Sequence, residues 1–354
     1  MKDGINRVLK EQELDALVIS DGYNMRYISG FAGATGYLYL TKRRHILLTD
    51  SRYTTQAKEE AAAFDVREIA SGAEYGQMIG QLIKEDKAQR VGFEDLHMIY
   101  ADFCELKEHA SGAEWVRLGG TVNALRSVKE EWELQRIAKA EQIGDLAFEK
   151  ILGELKPGVT ELSIAAKLDY YMRELGAQGN SFDTIVASGT NSAMPHAVPT
   201  EKKLEKGDFV TMDFGCCYQG YCSDMTRTVM IGKADAKQKE LYHIVLEAQL
   251  AALAELRAGK TGAEVDAVAR QIIEKAGYGS YFGHGLGHSV GLFIHEEPRL
   301  SPKCREILQS NVPITVEPGI YLPGLYGVRI EDLVVITEDG CKNLASSPKE
   351  LLEL

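Results

Sequence analysis

What this sequence lacks narrows its class first. No apolar run approaches the roughly 20 residues that a membrane-spanning helix needs. The opening MKDGINRVLKEQELDALVIS has no signal-peptide core, so export is not expected. An excess of positive charge is missing too: the net charge of −12 leaves no footprint for nucleic acid and disfavours anionic membranes. Cysteines are few, six in 354 residues, with no CxxC spacing. That is no disulfide scaffold, and it points to a reducing cytoplasm with reduced thiols. GxGxxG, P-loop and HExxH patterns are absent, which removes dinucleotide binding, P-loop phosphate chemistry and the helical zinc-protease pair.

What is present is an ordinary soluble composition, 45% hydrophobic and 26% charged, in a chain long enough for two domains. The first third alternates helix-like and strand-like pieces. Residues 3–13 are amphipathic and 16–20 an apolar strand. Two strands, 36–41 and 45–49, flank the basic turn Lys42-Arg43-Arg44. Helices over 54–63 and 73–83 and strands over 66–69 and 90–93 complete a small α/β domain with a mixed sheet. The pattern changes in the low 120s, so we divide the chain into 1–122 and 123–354. A long helix over about 129–155 ends at Pro157-Gly158, and Thr160 opens a second one to about 175.

Two later segments share a layout. Strand 208–215 puts Val210, Met212 and Phe214 on one face and Thr211 and Asp213 on the other. A turn at Gln219-Gly220 leads to strand 223–229, which carries Asp224. Strand 313–320 carries Glu317, and a turn through Gly324 and Gly327 leads to strand 328–336 with Glu331. Helices over about 236–258 and 262–276 lie between. Helices then hairpin, twice, predicts an α+β domain whose pseudo-twofold, curved antiparallel sheet is covered by helices.

Between the hairpins lies GHGLGHSVGLFIHEEP, residues 283–298, where His284, His288 and His295 sit among four glycines, 283, 285, 287 and 291, in a segment too rich in Gly for a helix or a regular strand. Histidines in such a segment are not expected to serve packing. Four carboxylates on inward strand faces repel one another and resist desolvation. Divalent metal resolves that conflict. Hard, carboxylate-dominated ligands with one or two His suit Mn2+, Co2+, Fe2+ or a catalytic Zn2+ pair. Cys216, Cys217 and Cys222, between the two aspartates, are read as packing residues rather than soft ligands.

The ordered set Asp213, Asp224, His288, Glu317 and Glu331 resembles the pita-bread metallopeptidases, specifically Xaa-Pro aminopeptidases and prolidases. The matching text is TMDFG, CSDMTRT, GHSVGLFIHEEP, VEPGIYLP and GVRIEDL, with the aspartates eleven and the glutamates fourteen positions apart. The first third is similar to a creatinase-type N-terminal domain through SGFAGATGYLYLT and LLTDSRYTTQA. The resemblance implies two divalent ions, Mn2+ foremost. Asp213 would bind one ion through both oxygens, Asp224 and Glu331 would bridge, and His288 and Glu317 would complete the second site. It implies a bridging hydroxide as nucleophile with Glu317 as general base, His295 at the scissile carbonyl and His196 on the substrate side. His284 would line the pocket, Arg329 orient the substrate and Tyr321 form a wall. The expected substrates are proline-containing peptides and the expected assembly a homodimer. An Xaa-Pro aminopeptidase is the leading expectation, tilted that way by TDSRY at 49–53, with a dipeptide-only prolidase as the alternative. Methionine aminopeptidases usually lack the extra N-terminal domain, creatine-type hydrolases need no five ligands, and pita-bread binding modules usually lose several of them.

Overall fold

The computed structural model describes residues 2–70 and 74–354, and divides into two compact units, 1–126 and 127–354. The first unit is built on a six-stranded mixed sheet. Its strands are β1 (Ala16–Ile19), β2 (Tyr37–Leu40), β3 (His45–Asp50), β4 (Asp65–Ile69), β5 (Arg90–Phe93) and β6 (Glu114–Arg117), in spatial order β4-β3-β2-β1-β5-β6. Helices α2 (Gly22–Ser29), α3 (Thr54–Glu60), α4 (Glu74–Asp86) and α5 (Tyr100–His109) connect strands, while α1 (Lys2–Glu11) precedes the sheet in the chain and α6 (Thr121–Ala124) follows it. β1 reads Ala-Leu-Val-Ile without alternation because both of its faces are covered. Leu17 and Ile19 pack with Ile5, Leu9 and Phe31, while Ala16 and Val18 pack with Tyr39, Ile79 and Leu82. The expected start of α4 at Ala73 lies outside the described residues. α2, α5 and β6 had no clear periodic signal. α2 is fixed instead by its ends: the Asp21 side chain accepts from Tyr23 N–H, and Gly30 closes it at φ 85°.

The second unit opens with α7 (Glu131–Leu152) and α8 (Glu161–Glu174). Next come β7 (Gly179–Asn180), β8 (Ile185–Ser188), β9 (Phe209–Phe214), β10 (Cys216–Tyr218), β11 (Tyr221–Cys222) and β12 (Met225–Met230). Helices α9 (Ala236–Glu255) and α10 (Gly262–Lys275) separate these from β13 (Gly287–Ser289) and β14 (Glu296–Leu300). The chain ends with β15 (Pro313–Val316), β16 (Gly319–Leu322), β17 (Tyr326–Arg329), β18 (Asp332–Ile336) and β19 (Cys341–Asn343). Two half-sheets result, β12-β9-β8 and β14-β13-β15-β18-β19, each backed by its own helix pair. Val210, Met212 and Phe214 of β9 pack under Ile143, Phe148 and Leu168 of α7 and α8. Ile314, Val316 and Val334 pack under Val245, Ala248 and Val265 of α9 and α10. The apolar faces thus point to the helices, and the opposite face is left to the polar residues.

The halves are joined along β12. Glu331 N–H donates to Thr226 O at 3.1 Å, and Thr228 Oγ1 donates to Arg329 O at 2.8 Å. Three expectations are corrected here. Glu317 and Glu331 do not sit within continuous strands. Glu317 lies between β15 and β16, where Pro318 has no N–H for a ladder, and Glu331 lies between β17 and β18. Asp224 likewise lies in the step from β11 to β12. Gly327 is not part of the turn but a strand residue of β17, where a Cβ would meet Ser192 O at 2.2 Å. The glycine-rich stretch is not an irregular loop either. It contains β13 and most of β14, and a Cβ on Gly287 would come 1.9 Å from Thr315 O. Glycine is there to let β13 approach β15, not to keep the segment loose.

Candidate metal centre

Each carboxylate reaches the site from a different local device. Asp213 points from the polar face of β9, in register with Thr226 of β12. Asp224 sits just beyond the Phe214–Met225 end of that ladder. Glu317 and Glu331 flank the last rung of the second ladder, Val316 against Asp332. His288 comes from β13, at a register shift between His288 and Ser289 that re-aims the side chain.

These devices converge. Ligand oxygens of Asp213, Asp224 and Glu331 all lie within 4.8 Å of one another. His288 Nε2 lies 3.4 Å from Asp224 Oδ2 and 3.5 Å from Glu317 Oε1. Its Nδ1 is 3.1 Å from Ser289 O, and a carbonyl only accepts, so Nδ1 carries the proton and Nε2 presents a lone pair to the acids. Thr226 Oγ1 donates to Glu331 Oε2 at 2.6 Å, and Arg329 Nη2 donates to Asp213 Oδ2 at 2.7 Å. The other oxygen of each, Glu331 Oε1 and Asp213 Oδ1, is buried without a hydrogen-bond partner. An orphaned buried carboxylate oxygen is costly unless a cation takes it. Four carboxylates and one neutral imidazole form a hard donor set that fits divalent metal.

The electrostatics agree. Burial, and then the charges of Glu331, Asp213 and Glu317, push Asp224 well above the usual carboxylate range. Burial followed by Glu317 and Asp213 does the same to Glu331. Glu317 is raised to about 7, mainly by burial. His288 is lowered to about 3 by burial and by His295, so it is neutral near pH 7. A protein holding these acids together without a cation carries their repulsion unrelieved.

A cavity of about 760 Å3 opens over the cluster. It is lined by every residue singled out from the sequence: Asp213, Asp224, His288, Glu317, Glu331, His196, His284, His295, Tyr321 and Arg329. His295 and His196 are exposed to it, and the His295 ring sits edge-on to His288 at 4.6 Å. Arg329 is buried and committed to the protein. Besides Asp213 it donates to Thr226 Oγ1, Tyr321 Oη and Pro195 O. Tyr321 Oη in turn lies 2.9 Å from His284 Nε2, and His284 Nδ1 donates to Gly285 O. Asp213, Arg329, Tyr321 and His284 therefore form one chain of bonds along the wall. Burial raises Tyr321 to about 12 and lowers His284 to about 4, so both are neutral near pH 7.

Sequence reasoning missed Arg299, Thr226 and Thr315. Arg299 lies opposite His288 in the β13–β14 register and lines the cavity, and among the described residues its one ion pair is with Glu297 at 3.3 Å. Its charge helps to lower both His288 and His295. A cation four positions after His295 in an otherwise acidic run was the available signal. Thr226 and Thr315 carry none, being ordinary strand residues until their hydroxyls are seen to hold Glu331 and Glu317.

Comparison with known proteins decides the family. Residues 135–338 match Metallopeptidase family M24, and residues 3–128 match the Creatinase/Prolidase N-terminal domain. The chain belongs to metallopeptidase family M24. Within that family it is 38% identical to the Xaa-Pro dipeptidase of Pyrococcus horikoshii, over 99% of each chain. An Xaa-Pro dipeptidase from Bacillus anthracis superposes with a TM-score of 0.96 at 41% identity, covering 100% of this chain and 99% of that one. An X-Pro aminopeptidase from Thermotoga maritima superposes with a TM-score of 0.91 at 39% identity, covering 98% and 100%. The fold is the pita-bread domain of M24 preceded by a creatinase-type α/β domain, as the sequence led us to expect. Among the described residues no helix is long and apolar enough to cross a membrane.

Proposed function

We propose that this M24 metallopeptidase is an Xaa-Pro dipeptidase, a prolidase, holding two divalent ions with Asp213, Asp224, His288, Glu317 and Glu331. This reverses the order expected from TDSRY. The relatives named Xaa-Pro dipeptidase favour it, and so does Arg299. A dipeptide ends at proline, so its carboxylate needs a cation in the cavity. Arg329 has given its donors to the protein, whereas Arg299 lines the same cavity and spends only its Nε–H, on Glu297 at 3.3 Å, among the bonds of the described residues. That observation carries the reading. X-Pro aminopeptidase remains the second reading, supported by the Thermotoga structure.

When bound, the ions supply Lewis acidity and a water of lowered pKa. The chain's own residues do the rest. As in any amide hydrolysis the leaving nitrogen must be protonated for the bond to break, and in Xaa-Pro that nitrogen is the proline imide, which carries no N–H to bind by. His295 and His196 line the cavity and are exposed to it, which supports the reading that they hold the scissile carbonyl and pass a proton to that nitrogen. Glu317, steadied by Thr315 at 3.1 Å, is the carboxylate assigned to accept and return the proton of the attacking water. Arg329 fixes Asp213 while Tyr321 and His284 wall the pocket against bulk water.

The test compares specificity constants for Xaa-Pro and Xaa-Pro-Yaa under one metal. The dipeptide is expected to win by about tenfold or more, about 1.4 kcal/mol of differential binding. In Arg299→Ala that preference should vanish mainly through KM for the dipeptide. Equal or better cleavage of the tripeptide by the wild type selects the aminopeptidase reading.

A further inference from the structure

We propose that Cys217 and Cys222 form a reversible thiol–disulfide site on the hairpin that leads into Asp224. Gln219 (φ 49°) and Gly220 (φ 87°) are both left-handed, which makes β10–β11 a tight two-residue hairpin. Tyr218 and Tyr221 close the turn, and Cys217 lies directly opposite Cys222. The backbone bonds of that second pair leave the hairpin: Cys222 N–H donates to Gly291 O and Cys217 O accepts from Gln178 N–H, each at 2.8 Å. Cys217 and Cys222 are therefore a non-hydrogen-bonded pair, the kind that brings Cα atoms to about 4.5 Å. Disulfides require Cα atoms roughly 4.4–6.8 Å apart, so the backbone already satisfies the bond. The sulfurs face each other at 3.5 Å, and both are thiols. The neighbouring Cys216 cannot compete. Strand alternation turns it to the opposite face, where its Sγ contacts Ala140 O in the core.

The two thiols differ in access. Cys217 is half-buried, whereas Cys222 is buried at 3% exposure. A small-molecule disulfide RSSR thus meets Cys217 first. The Cys217 thiolate attacks one sulfur, forming Cys217–S–S–R and expelling one RS−. The Cys222 thiolate then attacks the Cys217 sulfur, forming the Cys217–Cys222 bond and expelling the second RS−. The protons of the two cysteine thiols end on two RSH, so the protein is oxidised by two electrons and RSSR reduced by two. The ring spans only the six residues 217–222. A loop that short gains little from restricting the unfolded chain, so the bond is a modification that reductant removes rather than a structural staple.

The experiment uses the full chain, incubated with oxidised glutathione, acid-quenched, alkylated and mapped by mass spectrometry. The wild type should show one peptide linkage, Cys217 to Cys222, lighter by two hydrogens and reversed by dithiothreitol. Cys222→Ser should instead retain glutathione on Cys217. Two alkylatable thiols in the wild type, under conditions that load glutathione on Cys217 in Cys222→Ser, would overturn the proposal. So would absence of the adduct from Cys222→Ser, or a linkage of either residue to a different cysteine.

Discussion

Glu94, in the first unit, and Glu331, in the second, are both almost fully buried glutamates, at 4% and 1% exposure. Both are held above the usual carboxylate range, with burial the leading cause. They nevertheless belong to different kinds of place. Glu94 Oε2 accepts from Ser20 N–H at 2.6 Å and Asp21 N–H at 2.7 Å, and Oε1 accepts from Asn24 Nδ2 at 2.6 Å. It ties the end of β1 and the start of α2 to β5. The Glu331 carboxylate has one hydrogen bond among the described residues, from Thr226, and one orphaned oxygen in a cluster of acids. Burial alone does not mark a site; a buried carboxylate with its acceptors unfilled, next to others like it, does.

The largest effects are expected at the cluster. Glu331→Gln or His288→Ala should lower turnover on the order of 10³-fold or more, with loss of metal measured on the same preparation. Near-normal turnover in either under matched metal would remove that residue from the ligand set. One step out, His295→Ala and His196→Ala should keep their metal while kcat falls roughly 10²-fold or more, as removal of a proton-transfer group does. Metal analysis beside kinetics checks this, and metal loss would move the histidine into the ligand set.

Glu94→Gln should do the reverse of Glu331→Gln. Placing an amide against three donors should cost about 1–3 kcal/mol of stability by denaturant titration, while activity per folded molecule stays close to the wild type. The smallest effect is in pH. Glu317 in the metal-free protein is raised from an ordinary 4.5 to about 7. Between those values the folded chain keeps a proton that the unfolded chain releases, so this group's stabilisation is present at low pH and is lost as pH rises. Glu317→Gln does not titrate. The metal-free variant should therefore gain in melting temperature relative to the metal-free wild type between pH 5 and pH 7. A constant difference across that range would contradict the assignment.

The same contrast explains what was legible in the sequence. Asp213 was readable because β9 alternates cleanly, apolar towards the helices and polar away. The helix–hairpin repeat and the glycine-spaced histidines were readable for similar reasons, as local patterns with local causes. The break at Ile330-Glu331 was not, because what interrupts the ladder there is the meeting of the half-sheets along Thr226 and Thr228, whereas the break at Glu317 had a local signal in Pro318 that the strand pattern around it masked. The helices α2 and α5 escaped because their apolar periodicity is weak, and α2 is defined by its caps at Asp21 and Gly30 rather than by a stripe. Arg329 and Arg299 illustrate the limit best. Both are arginines near an acidic motif, and only the fold reveals that one has given its donors to the protein while the other lines the cavity.

The central claim is that the orphaned oxygens of the cluster exist for metal. Equilibrium dialysis of metal-stripped protein against Mn2+, with metal and protein quantified together, tests it directly. Two ions are expected per wild-type chain, two in Glu94→Gln, and at most one, weakly held, in Glu331→Gln. A wild type that binds no stoichiometric Mn2+, Co2+, Zn2+ or Fe2+, or a Glu331→Gln variant that binds as the wild type does, would contradict it.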